Sequence, residues 1–432
     1  MQRSQDAAAL WRIPSLAMPH QLRHLKTLEE ARRLLWEALP QHIREGRFGG
    51  RETPIAEAVG FVLDTDILAS EDLPPFDRST MDGYAVWAED TFRASERLPA
   101  QLEVVGEIRM GEDAALSLSH RQAAAISTGG MLPDGGDAVV MVEHTHLRED
   151  HSVEVLRPVA PGENIVRRGD DVREGEAVLA AGHRLRPQDV SALAGLGIAA
   201  VTVRRPRVAV LSTGSELVPH TEEAGSGRIR DMNGPALQAA ARALGAEPAD
   251  LGLVTDDPEA IRQAMRQGLA EADLLLVSGG TSVGVEDVVP DLIDSLGKPG
   301  VLVHGLAVKP GRPVVIGLVG EVPVFGMPGH PTSCLTIFRE LVAPLLRLAC
   351  GDRRNPLTRV RARITGNFTS QAGREEFVPV RLRQRDGFWE ATPLLGPSAL
   401  ISTLVRADGL VRIPAACQGL CAGDEVEVEP FE

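Results

Sequence analysis

Apolar residues recur at different spacings along this chain, and each change of spacing marks a change of structure. From Leu25 to Leu39 the positions Leu28, Ala31, Leu34, Leu35 and Ala38 follow the helical period, which predicts an amphipathic helix. Thr27 is placed to cap it, with Glu29 and Glu30 in the first turn. Residues 1–24 carry little pattern and read as a partly ordered arm. From Pro54 to Val159 short apolar runs such as Gln101–Ile108, Ala123–Ser127 and Ala138–Glu143 are broken by Pro, Gly and Asp turns, the signature of β-rich structure. Acidic-glycine turns follow, at Arg168-Gly169-Asp170-Asp171 and Glu174-Gly175, then a short helix at Pro187–Leu196 and a strand at Ala200–Val203.

From about Pro206 to Cys350 the pattern alternates strand and helix. Arg207–Leu211, Ala249–Val254 and Asp273–Val277 are near-continuous apolar runs. Between and after them, Pro235–Leu244, Pro258–Ala270, Val285–Leu296 and Thr332–Leu348 have helical spacing, and further strands are expected near Pro313–Gly317 and Val322–Phe325. Strands without polar alternation are covered on both faces, so this region predicts a doubly wound, mainly parallel α/β domain. Residues 355–432 return to short alternating strands, among them Thr358–Ile364, Glu376–Leu382 and Glu425–Glu429, as in a small barrel or sandwich.

Composition narrows the function. A formal charge of −15 argues against nucleic acid, which is bound through lysine and arginine patches, so an anionic ligand must be gripped locally. Aromatic residues are only 3%, leaving the cores to aliphatic side chains. Cys334, Cys350, Cys417 and Cys421 show no CxxC spacing; Cys417 and Cys421 are a weak metal candidate with no His nearby, and all four read better as plain thiols. No apolar run reaches 18 residues and no signal-peptide pattern opens the chain, which points to the cytoplasm.

Ligands of open α/β sheets sit beyond the carboxyl ends of the strands. Those ends read Ser212-Thr213-Gly214-Ser215-Glu216, Thr255-Asp256-Asp257, Ser278-Gly279-Gly280-Thr281-Ser282-Val283-Gly284 with Glu286 and Asp287, and Gly326-Met327-Pro328-Gly329-His330-Pro331. The glycine-rich turns let backbone N–H groups approach an anion, and Ser278 and Ser282 add hydroxyl donors. Glu216, Asp256 and Asp287 beside a phosphate call for a bridging cation such as Mg²⁺. Lys309 and Arg312, in Lys309-Pro310-Gly311-Arg312-Pro313, offset the remaining charge. Neither GxGxxG nor GxxxxGK[ST] occurs.

These residues resemble the molybdopterin molybdenumtransferase family, the MoeA-like enzymes that include the C-terminal part of gephyrin. The resemblance covers nearly all of the chain after residue 25. It is carried by Pro74-Pro75-Phe76-Asp77-Arg78-Ser79-Thr80-Met81-Asp82-Gly83-Tyr84-Ala85-Val86, Ser127-Thr128-Gly129-Gly130, Asp137-Ala138-Val139-Val140-Met141, and the turns quoted above. It implies an elongated discontinuous dimerisation domain (25–62 and 168–205), a β-rich inserted domain (63–167), an α/β molybdopterin-binding domain (206–352) and a C-terminal β-barrel domain (353–432). It implies cleavage of adenylylated molybdopterin with insertion of molybdate or tungstate and release of AMP, a divalent cation such as Mg²⁺, and a homodimer. A molybdopterin adenylyltransferase and molybdoenzyme acceptors are the implied protein partners. By motif position, Asp77, Thr128, Glu216, Asp256, Asp287 and Lys309 take catalytic roles, with Glu216, Asp256 and Asp287 on the metal. Asp82, Asp171, Ser278, Gly279, Gly280, Ser282, Arg312, Pro328, Gly329, Pro331, Ser333 and Ser398 take substrate-binding roles. Asp77, Asp82 and Thr128 are implied to face the α/β domain of the partner subunit.

The chain departs from the family where many members carry Arg at Val166, Lys at Gly305, Asn at His330 and Arg at Pro379. Basic oxyanion ligands are thereby thinned, with His304 and His330 as partial substitutes, so molybdate and tungstate both remain open. Two other readings also stand. One is an adenylyltransferase sharing the α/β domain, disfavoured by Pro74–Val86 and the final β domain. The other is a non-catalytic molybdopterin-binding scaffold, disfavoured by the retention of Asp256, Asp287 and Lys309.

Overall fold

A computed structural model describes residues 25–46, 48–279, 288–351, 359–385 and 387–431. The described residues divide into two compact units, one of those up to 51 together with those from 204 on, and one of residues 52–203.

In the first unit, α1 (Leu28–Ala38) starts at a capping box in which Thr27 accepts from the Glu30 N–H and Glu30 accepts from the Thr27 N–H. Its buried stripe Leu28, Ala31 and Leu35 joins the core under the central sheet. Its apolar face packs on the same core as the α/β sheet, a contact that the grouping of 25–62 with 168–205 does not include.

That sheet is built from β1 (Arg207–Thr213), α2 (Asn233–Ala243), β2 (Glu247–Val254), α3 (Pro258–Glu271), β3 (Leu274–Ser278), α4 (Val289–Leu296), β4 (Pro299–His304), β5 (Val315–Val319) and β6 (Val322–Met327). The strand order is β2-β1-β3-β6-β5-β4. β2, β1, β3 and β6 are parallel; β5 and β4 add an antiparallel edge. Alternate residues serve opposite cores. Val208, Val210, Leu274 and Leu276 pack with α1 and α2 on one face. Ala209, Leu211, Leu275 and Val277 pack with Ile261, Met265 and Ile293 on the other. Both faces are dry, which is why these strands show no polar alternation. β2 and β3 lie on either side of β1, so the order reverses there and the ends of β1 and β3 open a crevice. After β6 the chain runs through α5 (Pro331–Ile337), a π-type turn at Phe338–Val342 and a helix at Ala343–Ala349.

The C-terminal strands β7 (Val360–Ile364), β8 (Glu375–Arg385), β9 (Phe388–Pro393), β10 (Gly409–Ile413) and β11 (Glu425–Pro430) close on themselves in the order β8-β9-β7-β11-β10, with β10 pairing back to β8. Closure removes the unpaired edges that a sandwich would leave, and Ala362, Ile364, Val380, Ala391, Val411 and Val428 fill the inside.

The second unit holds a mixed sheet whose central strands are Gly83–Val86, Gln122–Ile126 and Ala100–Ile108. Cores lie on both of its faces. A separate cluster joins Ala58 and Leu63 to Leu185, Leu193, Val201 and Val203. Among the described residues no helix is long and apolar enough to cross a membrane.

Candidate active site

The carboxyl edge of the α/β sheet opens on a cavity of about 1220 Å³, slightly above the roughly 300–1,000 Å³ of ordinary small-molecule sites. It is lined by Glu216, Asp256, Ser278, Gly279, Lys309, Arg312, Pro328, Gly329, Ser333 and Ser398. Residues from every strand-end turn singled out in the sequence thus meet in one place, with the barrel supplying Ser398. Pro331 is the buried first residue of α5, one step below the lining. Gly280, Ser282 and Asp287 lie outside the described residues. Asp77, Asp82, Thr128 and Asp171 belong to the other unit.

Local geometry explains the residue types. Gly279 takes φ +100°, and a Cβ there would sit 2.1 Å from the carbonyl oxygen of Thr213. The turn after β3 is therefore pressed against the end of β1, leaving room only for glycine. Asp256 ties the neighbouring turn: its carboxylate accepts from Thr213 Oγ1 at 3.0 Å and from the Ser215 N–H at 2.8 Å. Ser278 is buried, and its Oγ accepts from Asn233 Nδ2 at 2.8 Å. Asn233 also donates to the Gly329 carbonyl at 2.9 Å, so one amide at the start of α2 braces both glycine turns. Cys334 lies beside Ser278, and burial pushes its thiol far above the usual range; it is a packing residue, not a nucleophile.

The cations of the cavity are arranged unequally. Lys309 Nζ lies 2.5 Å from Glu376 Oε1. Arg374 also lines the cavity, and its Nε is buried without a hydrogen-bond partner. His330 Nδ1 pairs with Ser398 Oγ at 2.8 Å, and the Thr332 N–H donates to the Ser398 carbonyl, so a barrel loop closes over the start of α5. Pro379, at one of the positions where the chain departs from the basic residue many similar proteins carry, lines the same cavity.

In the second unit, Asp82 accepts from the Thr128 N–H at 2.7 Å and from Thr128 Oγ1 at 3.0 Å. Those two bonds, backbone first, hold its carboxyl below the usual range. Asp77 accepts from the Arg168 N–H at 2.7 Å. The neighbouring Asp72 accepts from the Glu174 N–H and from Arg168 Nε, which lower its pKa in that order. Asp171 is exposed, with its backbone N–H on the Leu73 carbonyl.

Among the cavity residues that escaped the sequence reading are Asn233, Arg374 and Glu376. Asn233 follows Asp231-Met232 just before a helical pattern, and Arg374 follows Gly373 before an apolar run. Both looked like ordinary element-start residues, and only the fold turns them inward. For a divalent cation, the described donors among the residues singled out in the sequence are Glu216 and Asp256; no cluster of three His, Cys, Asp or Glu side chains forms among the described residues. Two carboxylates completed by ligand phosphates and water suit Mg²⁺, which rarely takes an all-protein cage.

Comparison with known proteins agrees with this layout. Residues 26–197 match the MoeA N-terminal region (domain I and II), residues 209–348 a "probable molybdopterin binding domain", and residues 361–431 the MoeA C-terminal region (domain IV). The molybdopterin molybdenumtransferase of Bacillus subtilis is 32% identical, over 85% of this chain and 86% of that one. Molybdopterin molybdenumtransferase 2 of Mycobacterium tuberculosis is 35% identical over 87% and 93%. A crystal structure of the molybdopterin biosynthesis MoeA protein from Pyrococcus horikoshii superposes with a TM-score of 0.74 at 38% identity, covering 95% of this chain and all of that one. With strand-end turns, barrel and family matches in register over most of its length, the chain belongs to the MoeA family, whose curated relatives are molybdopterin molybdenumtransferases.

Proposed function

We propose that this protein is a molybdopterin molybdenumtransferase that inserts molybdate or tungstate into adenylylated molybdopterin and releases AMP. The single observation that carries this reading is the convergence of Glu216, Asp256, Gly279, Lys309, Arg312 and Ser398 on one cavity at the carboxyl edge of the sheet. Acids and cations lining one wall suit a substrate that is itself a pyrophosphate. The Gly279 turn brings backbone close to the substrate without a side chain in the way. Lys309 stabilises charge that develops when the pyrophosphate bond breaks. Glu216 and Asp256, with Asp287, hold Mg²⁺, which neutralises the pyrophosphate when bound. Asp77, Asp82, Thr128 and Asp171 are assigned to the same reaction, carried out by a homodimer in the cytoplasm. Gly280, Ser282, Pro328, Gly329, Pro331 and Ser333 complete the substrate site.

The test is AMP release from adenylylated molybdopterin with Mg²⁺ and either molybdate or tungstate. Release with one or both oxyanions is expected. Asp256→Asn removes a charge while keeping an acceptor oxygen for the turn, so the Mg²⁺ concentration for half-maximal rate should rise about 10–100-fold. Pterin binding without AMP release under either oxyanion would instead make the protein a scaffold.

A further inference from the structure

The two-residue strand Val308–Lys309 runs parallel to the start of β8, with Lys309 opposite Glu376. That register sets the cavity's lysine against a carboxylate delivered by the barrel, at 2.5 Å. The Glu376 side chain is only 4% exposed, and its second oxygen accepts from Ser370 Oγ at 2.7 Å. Glu375 points the other way and pairs with Arg412, as strand alternation requires. Glu376 therefore lines the cavity with one named donor on each of its oxygens. A carboxylate this buried is costly without a countercharge, and Lys309 supplies it. Lys309 itself is half-exposed; an ammonium has three donors, so pairing with Glu376 leaves two for the cavity it lines.

Composition makes the choice of lysine informative. Only three of the chain's 45 basic residues are lysines: Lys26, Lys298 and Lys309. An arginine fork seeks both oxygens of a carboxylate, whereas an ammonium bonds as a point charge. With one Glu376 oxygen already held by Ser370, the point charge is what fits.

We propose that Glu376 is a positioning residue: it fixes the Lys309 ammonium in the cavity, so that the barrel sets the geometry of a group contributed by the α/β domain. The inference rests on the role given to Lys309 above. A free lysine stem samples many rotamers; clamped at one end of its charge, it presents its remaining donors in one place before substrate arrives.

Two measurements test this independently. The first is trace acetylation of the full-length protein with acetic anhydride, read by mass spectrometry at Lys309, with the exposed Lys298 as internal reference. Lys309 should acetylate about tenfold more slowly than Lys298, and Glu376→Gln should remove the difference. Equal rates in the wild type would overturn the clamp, whatever the enzyme's activity. The second is a double-mutant cycle on AMP release with Lys309→Met. Glu376→Gln should lower kcat about tenfold or more with KM little changed, and should add less than about threefold in the Lys309→Met background. Additive losses would show that Glu376 acts independently of Lys309 and would refute the positioning role. Normal turnover by Lys309→Met would remove Lys309 from the reaction and the positioning role with it, while the acetylation result still decides the clamp. Glu376→Gln and Lys309→Met combined leave no unpaired buried charge, so the double variant stays interpretable if the Lys309→Met single variant unfolds.

Discussion

Replacing Gly279 with alanine places a methyl group 2.1 Å from the Thr213 carbonyl oxygen. A real carbon–oxygen contact is roughly 1 Å longer, so β1 and the turn after β3 must part by about that much. They meet at the middle of the sheet, where Ser212 is paired with Ser278, and such a shift disturbs the ladder. Two costs add. Holding a side chain at φ +100° costs about 1–3 kcal/mol, and the forced separation costs about 1–3 kcal/mol more, as overpacking does elsewhere. Gly252 separates the two. It is also left-handed, at φ +78°, but a Cβ there would meet nothing within 4 Å, so Gly252→Ala carries the backbone cost alone. The assay is pulsed alkylation of Cys334 against urea concentration, read by mass spectrometry; Cys334 is fully buried beside Ser278 and reports opening of this edge. With a urea dependence of about 3 kcal/mol per molar for this unit, Gly279→Ala should lower the midpoint by about 1 M and Gly252→Ala by about half of that or less. Equal midpoints for the two variants would refute the close approach as the reason for glycine at position 279.

Asn233→Ala removes the donor shared by Ser278 and Gly329; a lost buried bond and a carbonyl left unsatisfied should together cost about 2–3 kcal/mol, and a change in urea midpoint below about 0.2 M would count against the brace. In the second unit, Asp189 is held well below the usual carboxylate range, first by Arg186 and then by His183. A depressed carboxylate contributes stability that is present above its unfolded pKa of about 4 and is lost as pH falls toward the folded value. Asp189→Asn should therefore lower the melting temperature of that unit at pH 7 and flatten its decline below pH 4, in a differential scan repeated from pH 7 to 3; an unchanged acid limb would exclude Asp189 as its source.

Much of the site was legible before the fold. The ends of apolar strands marked where ligand groups gather, because a parallel sheet buried on both faces leaves only its edges for function. Glu216, Asp256 and Gly279 were singled out this way, Lys309 and Arg312 as cations offsetting the acids, and all five line one cavity. Asn233 and Glu376 were not legible. Each reads locally as an element-start residue, and each acquires its role from a partner 45 or 67 positions away: Ser278 for Asn233 and Lys309 for Glu376. The helix at Leu28–Ala38 was read as a helix from its stripe, but its packing on the core of the α/β sheet was not, since an amphipathic stripe states that a face is buried and not what buries it.

The sequence by itself determined the element types, the two-faced character of the α/β strands, the family and the turns that carry chemistry, because these depend on periodicity, glycine geometry and short motifs. Tertiary structure alone decided that β8 closes a barrel with β10 and that its first residues reach the sheet's cavity. It also decided that Lys309 is held by a buried carboxylate and does not stand as a free surface cation. Those outcomes depend on which distant strands pair and in which register. Register is fixed by the packing of whole faces, and a run of neighbouring residues does not contain it.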